Sequence, residues 1–302
     1  MRATKDSPSL NGQRLERLIE RIDTHARQEG IQPTSMAALQ TMRLHTSQSR
    51  QPQLYEPGLV IIAQGRKYAH LSDRTLYYGA GHYLIQAMPL PFECETLASA
   101  DAPLLGLLIR ITPERLTTLV RHLPPPAPEP PYPMEAIALD DTLIESLLRL
   151  LDCLDDPVMA AALGEDRLRE AIFHALRGPQ GDALKHLLYQ QGQHAYARIG
   201  RVLEHIQTRF DEAFSVEALA RTVHMSTSAF YSHFKQITGL SPLQYQKQVR
   251  LLNARRLLAQ AEQNVSSVAR TVGYLSPSQF SREYKRYFGV SPQKDARPAP
   301  AA

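Results

Sequence analysis

"SPSQFSREYKRYFGVSP", Ser276 to Pro292, combines a small polar start, evenly spaced aromatics and basic side chains in one short segment. Phe280, Tyr284 and Phe288 step by four, so they fall on one helical stripe and predict anchors in a core. Ser276 offers the hydroxyl that an N-cap uses, and Gly289 suits the left-handed residue that ends many helices. Ser278, Gln279, Arg282 and Arg286 lie largely off the aromatic stripe, while Ser278, Arg282 and Lys285 share a face. A helix held by aromatics and polar outside can enter the DNA major groove, where Arg and Gln reach base edges.

A looser copy lies upstream. "SVEALARTVHM" aligns with "NVSSVARTVGY" at an offset of 49, pairing Ala220 with Ala269 and Arg221 with Arg270. Leu275 adds one residue, after which "STSAFYSHFKQITGLSP", Ser226 to Pro242, matches the quoted stretch at an offset of 50. Each copy reads as a helix-turn-helix: a short amphipathic helix, a turn, then a second helix from Ser226 to Gly239 or Ser276 to Gly289. Gly273 can supply a positive φ in the later turn. Phe230 and Phe234 anchor the earlier second helix and leave Ser228, Tyr231, Ser232 and Lys235 pointing elsewhere.

The linking segment "PLQYQKQVRLLNARRLLAQ" is long enough for one continuous helix. Tyr245, Val249, Leu252 and Leu257 are expected to face inward, with Arg250, Arg255 and Arg256 available for phosphates. A rigid connector would hold two reading helices about one duplex turn apart, ~34 Å.

Charge supports a nucleic-acid partner. The chain of 302 residues has a net charge of +4, but from Arg198 onward it carries 15 Lys and Arg against 7 Asp and Glu. The preceding part carries 19 against 23. Such asymmetry points to a polyanion on the basic part.

These residues resemble the C-terminal DNA-binding domain of AraC/XylS-type transcriptional regulators. The resemblance covers roughly 196–295 and is carried by "ARTVGYLSPSQFSREYKRYFGVSP" and "SPLQYQKQVRLLNARRLL". It implies a bacterial transcription factor that binds double-stranded promoter DNA with two reading helices per subunit. By position, Ser228, Tyr231 and Ser232 match the base-facing part of the family's first reading helix, and Ser278, Gln279 and Arg282 that of the second. Ser226, Lys235, Arg250, Arg255, Ser276, Lys285 and Arg286 are the expected phosphate contacts. Two positions depart from the family: Ser232 stands where an arginine is frequent, and Asp295 where a tyrosine is usual.

The front of the chain has a different texture. From about 33 to 112, β-type runs such as "GLVIIAQG", "KYAHL", "TLYYG" and "HYLIQA" alternate with turn signals, which predicts a sandwich or small barrel. "GLVIIAQGRKYAHLSDRTLYYGAGHYLIQAMPLP" looks like the cupin-like N-terminal domain of one branch of the same family, and so implies a small barrel that senses an effector or supports dimerisation. An amphipathic helix precedes it, with Leu15, Leu18, Ile19 and Ile22 on one face. Pro113 opens a short helix, and "LPPPAPEPPYP" at 123–133 reads as a stiff connector. Helices follow over 139–192, where Leu139, Leu143, Leu147, Leu150 and Leu154 form a stripe expected to serve both as a layer on the barrel and as a seam between two copies. Two further helices are expected in "EDRLREAIFHALRG" and "DALKHLLYQQ".

The expected architecture is α+β: a cupin-like barrel with a helical layer at 1–192, then an all-α DNA-binding domain at 196–295. Its two units span about 215–239 and 264–289. No run of about 18 apolar residues occurs, and "MRATKDSPSLNGQRLERL" lacks an export signal, so a cytoplasmic protein without membrane contact is expected. A small-molecule effector, contact with RNA polymerase and a homodimer complete the expected partners.

A metal-dependent cupin enzyme with an appended DNA-binding domain is the alternative. His70, His82, Glu93 and Glu95 are its candidate ligands, but they show no tight ligand spacing, so neither metal nor cofactor is expected. Of the two cysteines, Cys94 is read as a small half-buried hydrophobe, with a sensor thiol as the competing reading. No Walker loop, Gly-x-Ser-x-Gly elbow or Cys-x-x-Cys pair is present.

Overall fold

The computed structural model describes residues 10–188, 195–259 and 264–296. The chain's first residues, the end of the helix expected in "DALKHLLYQQ", residue 192 and the last residue of the connector segment lie outside them.

The strands are β1 (Gly30–Pro33), β2 (Leu39–Leu44), β3 (Gln48–Leu54), β4 (Gly58–Gln64), β5 (Arg66–His70), β6 (Thr75–Gly79), β7 (His82–Gln86), β8 (Pro91–Leu97), β9 (Leu104–Arg110) and β10 (Met134–Ala138). They form two antiparallel sheets, ordered β1-β2-β9-β4-β7-β10 and β3-β8-β5-β6. Side chains alternate across each strand. Val60, Ile62 and Leu84 of the larger sheet meet Ala69, Leu76, Tyr78, Phe92 and Cys94 of the smaller one inside the barrel. Leu59, Ile61, Tyr83 and Ile85 point the other way, into a second apolar layer.

Helices cover that outer layer. α1 (Leu10–His25) buries Leu18 and Ile22 on it, and Arg14 of α1 reaches Asp141 and Glu145 of α3 at 2.9 and 2.7 Å. α2 (Pro113–Val120) starts at its proline, α3 spans Asp141–Asp152, α4 Pro157–Arg177 and α5 Gly181–Leu188. The leucine stripe resolves as the layer on the barrel. Leu139, Leu143, Leu147 and Leu150 are buried within the chain's own core and Leu154 packs on it, so the stripe is spent and gives no free seam to a second copy. α4 begins well before "EDRLREAIFHALRG", because Pro157 fits its first turn and Asp156 caps it by accepting from the Val158 amide.

The remaining helices are α6 (Ala195–Thr208), α7 (Val216–Thr222), α8 (Thr227–Thr238), α9 (Pro242–Ala259), α10 (Val265–Thr271), α11 (Pro277–Phe288) and α12 (Pro292–Asp295). α7–α8 and α10–α11 are the two helix-turn-helix units, joined by α9. The first unit shares the barrel's apolar cluster through Phe230 and Phe234, as α9 does through Tyr245 and Val249, whereas the second has its own small core around Phe280 and Tyr284. The fold is thus the mixed α+β arrangement expected.

Candidate nucleic-acid interface

Both reading helices are built from local signals. Ser226 accepts from the Ala229 amide and Ser276 from the Gln279 amide, each at 3.3 Å, so each serine satisfies a free donor of its helix. Gly239 and Gly289 close the helices at φ 72° and 76°. Phe230, Phe234, Phe280 and Tyr284 are fully buried, and Phe288 packs on the cluster of Phe280 and Tyr284. These anchors fix which face of α8 and α11 turns outward.

The outward face of α11 carries Ser278, Gln279, Arg282, Lys285 and Arg286, and that of α8 carries Ser228, Tyr231, Ser232 and Lys235, all exposed. Among the described residues Arg282, Lys285, Arg286 and Lys235 form no ion pair with a carboxylate. The cap hydroxyls reach onto this face: Ser276 Oγ lies 2.9 Å from Ser278 Oγ, and Ser226 Oγ 3.3 Å from Ser228 Oγ. Two capped helices therefore present polar, cationic faces whose charge is uncommitted, as phosphate and base-edge contact require.

Two expected phosphate contacts are already occupied. Arg250 is half-buried, and its guanidinium donates to the carbonyls of Phe210 at 2.6 Å, Gly273 at 3.0 Å, and Asp211 and Glu212 at 3.1 Å. Arg255 pairs with Asp295 at 3.0 Å and donates to Gln51 Oε1 at 2.8 Å. Both side chains hold the fold together, because carbonyls and a carboxylate from remote segments converge on α9. Arg256 stays exposed. Asp295, the departure at the tyrosine position, also accepts from Tyr284 Oη at 2.6 Å and so ties α11 to the chain after it.

Sequence spacing does not reveal Glu283. Its carboxylate pairs with Lys247 of α9 at 2.7 Å and accepts from Tyr274 Oη at 2.8 Å and Gln279 Nε2 at 3.4 Å. Burial pushes this carboxyl up, but the donors outweigh burial together and leave it below its ordinary value. The cluster clamps the reading helix to the connector and holds Gln279 near it. Its only sequence signal is a lone acid on an otherwise basic helix.

α9 is buried more broadly than its stripe predicts. Tyr245, Val249, Leu251, Ala254 and Leu258 are buried, while Leu252 and Leu257 are half-buried, because α9 packs against the barrel and both units.

In the front half, His70 contacts Thr75 Oγ1 and Glu95, and His82 contacts the Ala80 carbonyl. Among the described residues no three His, Cys, Asp or Glu side chains converge as a metal group. Nor, among them, is any helix long and apolar enough to cross a membrane. Cys94 is buried inside the barrel.

The family model described as AraC-type transcriptional regulator N-terminus matches residues 35–183, and a helix-turn-helix domain model matches 219–297. The chain is similar to the transcriptional activator RhaS of Escherichia fergusonii, 32% identical over 52% of this chain and 55% of that one. It is also similar to RclR of Escherichia coli K12, described as an activator specific for RCS, 32% identical over 32% of this chain and 34% of that one. The match thus spans about half or less of these curated relatives. Among solved structures, ToxT of Vibrio cholerae with an unsaturated fatty acid bound is 11% identical, has a TM-score of 0.59 and covers 85% of this chain and 94% of that one. That likeness shows the fold.

Proposed function

We propose that this chain, which belongs to the AraC-type transcriptional regulators, acts as an effector-responsive regulator reading two successive major-groove segments of promoter DNA. The observation that carries this reading is the pair of capped helices with exposed, unpaired basic faces. Residues 1–192 are the sensing and dimerisation part and 196–295 the DNA-binding part. Ser228, Tyr231, Ser232, Ser278, Gln279 and Arg282 face bases. Ser226, Lys235, Ser276, Lys285 and Arg286 face phosphates. ToxT, a protein of the same fold, binds an unsaturated fatty acid, which supports a small-molecule effector for the front part. The chain works in the cytoplasm as a homodimer, contacts RNA polymerase and carries out no catalysis.

Selection of DNA from a random pool, followed by binding assays on the recovered site, tests the reading. Arg282→Ala is expected to relax the preference at one or two positions and cost ~1–3 kcal/mol on the specific site. Lys285→Ala is expected to weaken all sequences alike and to make the salt dependence shallower by about one charge. Unchanged selectivity in the first variant removes the base-reading role, and an unchanged salt slope in the second removes the phosphate contact.

A further inference from the structure

Glu283 does more than hold two helices together. Gln279 is the third residue of α11, in the first turn, where a reading helix meets base edges. Its Nε2 donates to Glu283 Oε1 at 3.4 Å, one turn further along the same helix. The same carboxylate takes Lys247 Nζ on Oε1 at 2.7 Å and Tyr274 Oη on Oε2 at 2.8 Å. Although burial pushes its carboxyl up, these three donors keep it below its ordinary value and so ionised at neutral pH. An ionised carboxylate accepts and cannot donate. The amide of Gln279 therefore turns its nitrogen to Glu283 and leaves its oxygen free. The helix-turn-helix fold does not require this arrangement. Fifty residues earlier the equivalent positions are Ala229 and His233, yet α8 is capped and anchored in the same way.

We propose that Glu283 is a positioning residue that fixes the amide of Gln279 to read adenine. The proposal rests on the major-groove reading of α11 and adds a base identity to it. With one amide hydrogen held by Glu283, Gln279 offers its oxygen and its second hydrogen side by side. Adenine presents the matching pair in the major groove, the N6 donor beside the N7 acceptor. Cytosine satisfies the oxygen alone, through N4. Guanine and thymine present acceptors, O6 with N7 or O4, and set them against the free oxygen. An unrestrained glutamine would turn its amide over to meet guanine. The held one cannot do so without aiming its oxygen at a carboxylate, which repels it.

The test selects DNA from a random pool with the full chain and its variants. Gln279→Ala locates the position that Gln279 reads, as the one whose preference disappears. The parent is expected to favour adenine there over guanine or thymine by at least about fivefold, the lower end for a bidentate base contact. Glu283→Met keeps the bulk and removes the acceptor, so Gln279 turns freely and guanine is expected to rise to near parity with adenine. Lys247→Met loosens the same clamp but leaves the carboxylate facing Gln279, so the adenine preference is expected to survive it. The position lost in Arg282→Ala should keep its preference in both Met variants, which shows that α11 is still folded and seated. The inference is overturned if the parent selects any base but adenine at the Gln279 position, a result that needs no Glu283 variant to fold. It is also overturned if Gln279→Ala changes no position, if Glu283→Met keeps the full adenine preference, or if Lys247→Met loses it. In each of these cases a site still selected through Arg282 leaves the major-groove reading standing. If the parent selects no DNA, that reading falls and the inference falls with it.

Discussion

His224 and Gly273 occupy the same place in the two helix-turn-helix turns, and both have positive φ, 52° and 82°. The geometry is thus a property of the turn, which glycine meets without strain and histidine meets at a cost of roughly 1–2 kcal/mol. A Cβ on Gly273 would also lie 2.3 Å from the Asp211 carbonyl oxygen, which is backbone and cannot step aside cheaply. Gly273→Ala is therefore expected to lower stability by more than about 2 kcal/mol. His224→Gly goes the other way, with relief of strain offset by the ~0.5–1 kcal/mol of extra freedom glycine has when unfolded. It is expected to leave the melting temperature unchanged or slightly higher. Thermal unfolding of the two variants checks the contrast; equal losses would mean that the two turns are not equivalent.

The reading helices illustrate what a sequence exposes. Their caps, anchors and closing glycines lie within one segment, so spacing alone places Ser276, Phe280 and Gly289 correctly. Arg250 shows the opposite case. Its partners, Phe210, Asp211, Glu212 and Gly273, come from two loops, and no local pattern connects them to α9. A basic residue on a DNA-binding helix looks free until the chain has folded. β3 is hidden for a related reason: Gln48–Leu54 is mostly polar with no fully buried residue, and becomes a strand by pairing with β8. β10 follows a proline run and gains its identity from β7. The Arg250 arrangement makes a testable distinction. Arg250→Ala should cost about 2–4 kcal/mol of stability, since four carbonyls lose their donor. Arg250→Lys should recover little, because an ammonium cannot span that planar fork. The salt slope of DNA binding should not change in either variant, whereas loss of a phosphate contact would reduce it by about one.

At the scale of the molecule, the barrel and the two reading units are not coupled equally. The first unit shares an apolar cluster with the barrel, and Tyr245 of α9, fully buried, donates to the Pro89 carbonyl at 2.7 Å in the turn between β7 and β8. The second unit has a separate core and reaches the front half through packing of α11 on β3, while α9 adds the Arg255–Gln51 bond. A change inside the barrel therefore reaches α8 through continuous packing and α11 mainly through α9. Tyr245→Phe keeps the ring in place and leaves the Pro89 carbonyl without that donor, so it should cost about 1–2 kcal/mol. Hydrogen exchange locates the effect. Amides of β7, β8, α8 and the first half of α9 should lose protection together, because they open as one cooperative unit. Amides of α10 and α11 should keep theirs. Equal loss in both units would show that the second is as firmly tied to the barrel as the first, and loss confined to α9 would show that the shared cluster transmits nothing.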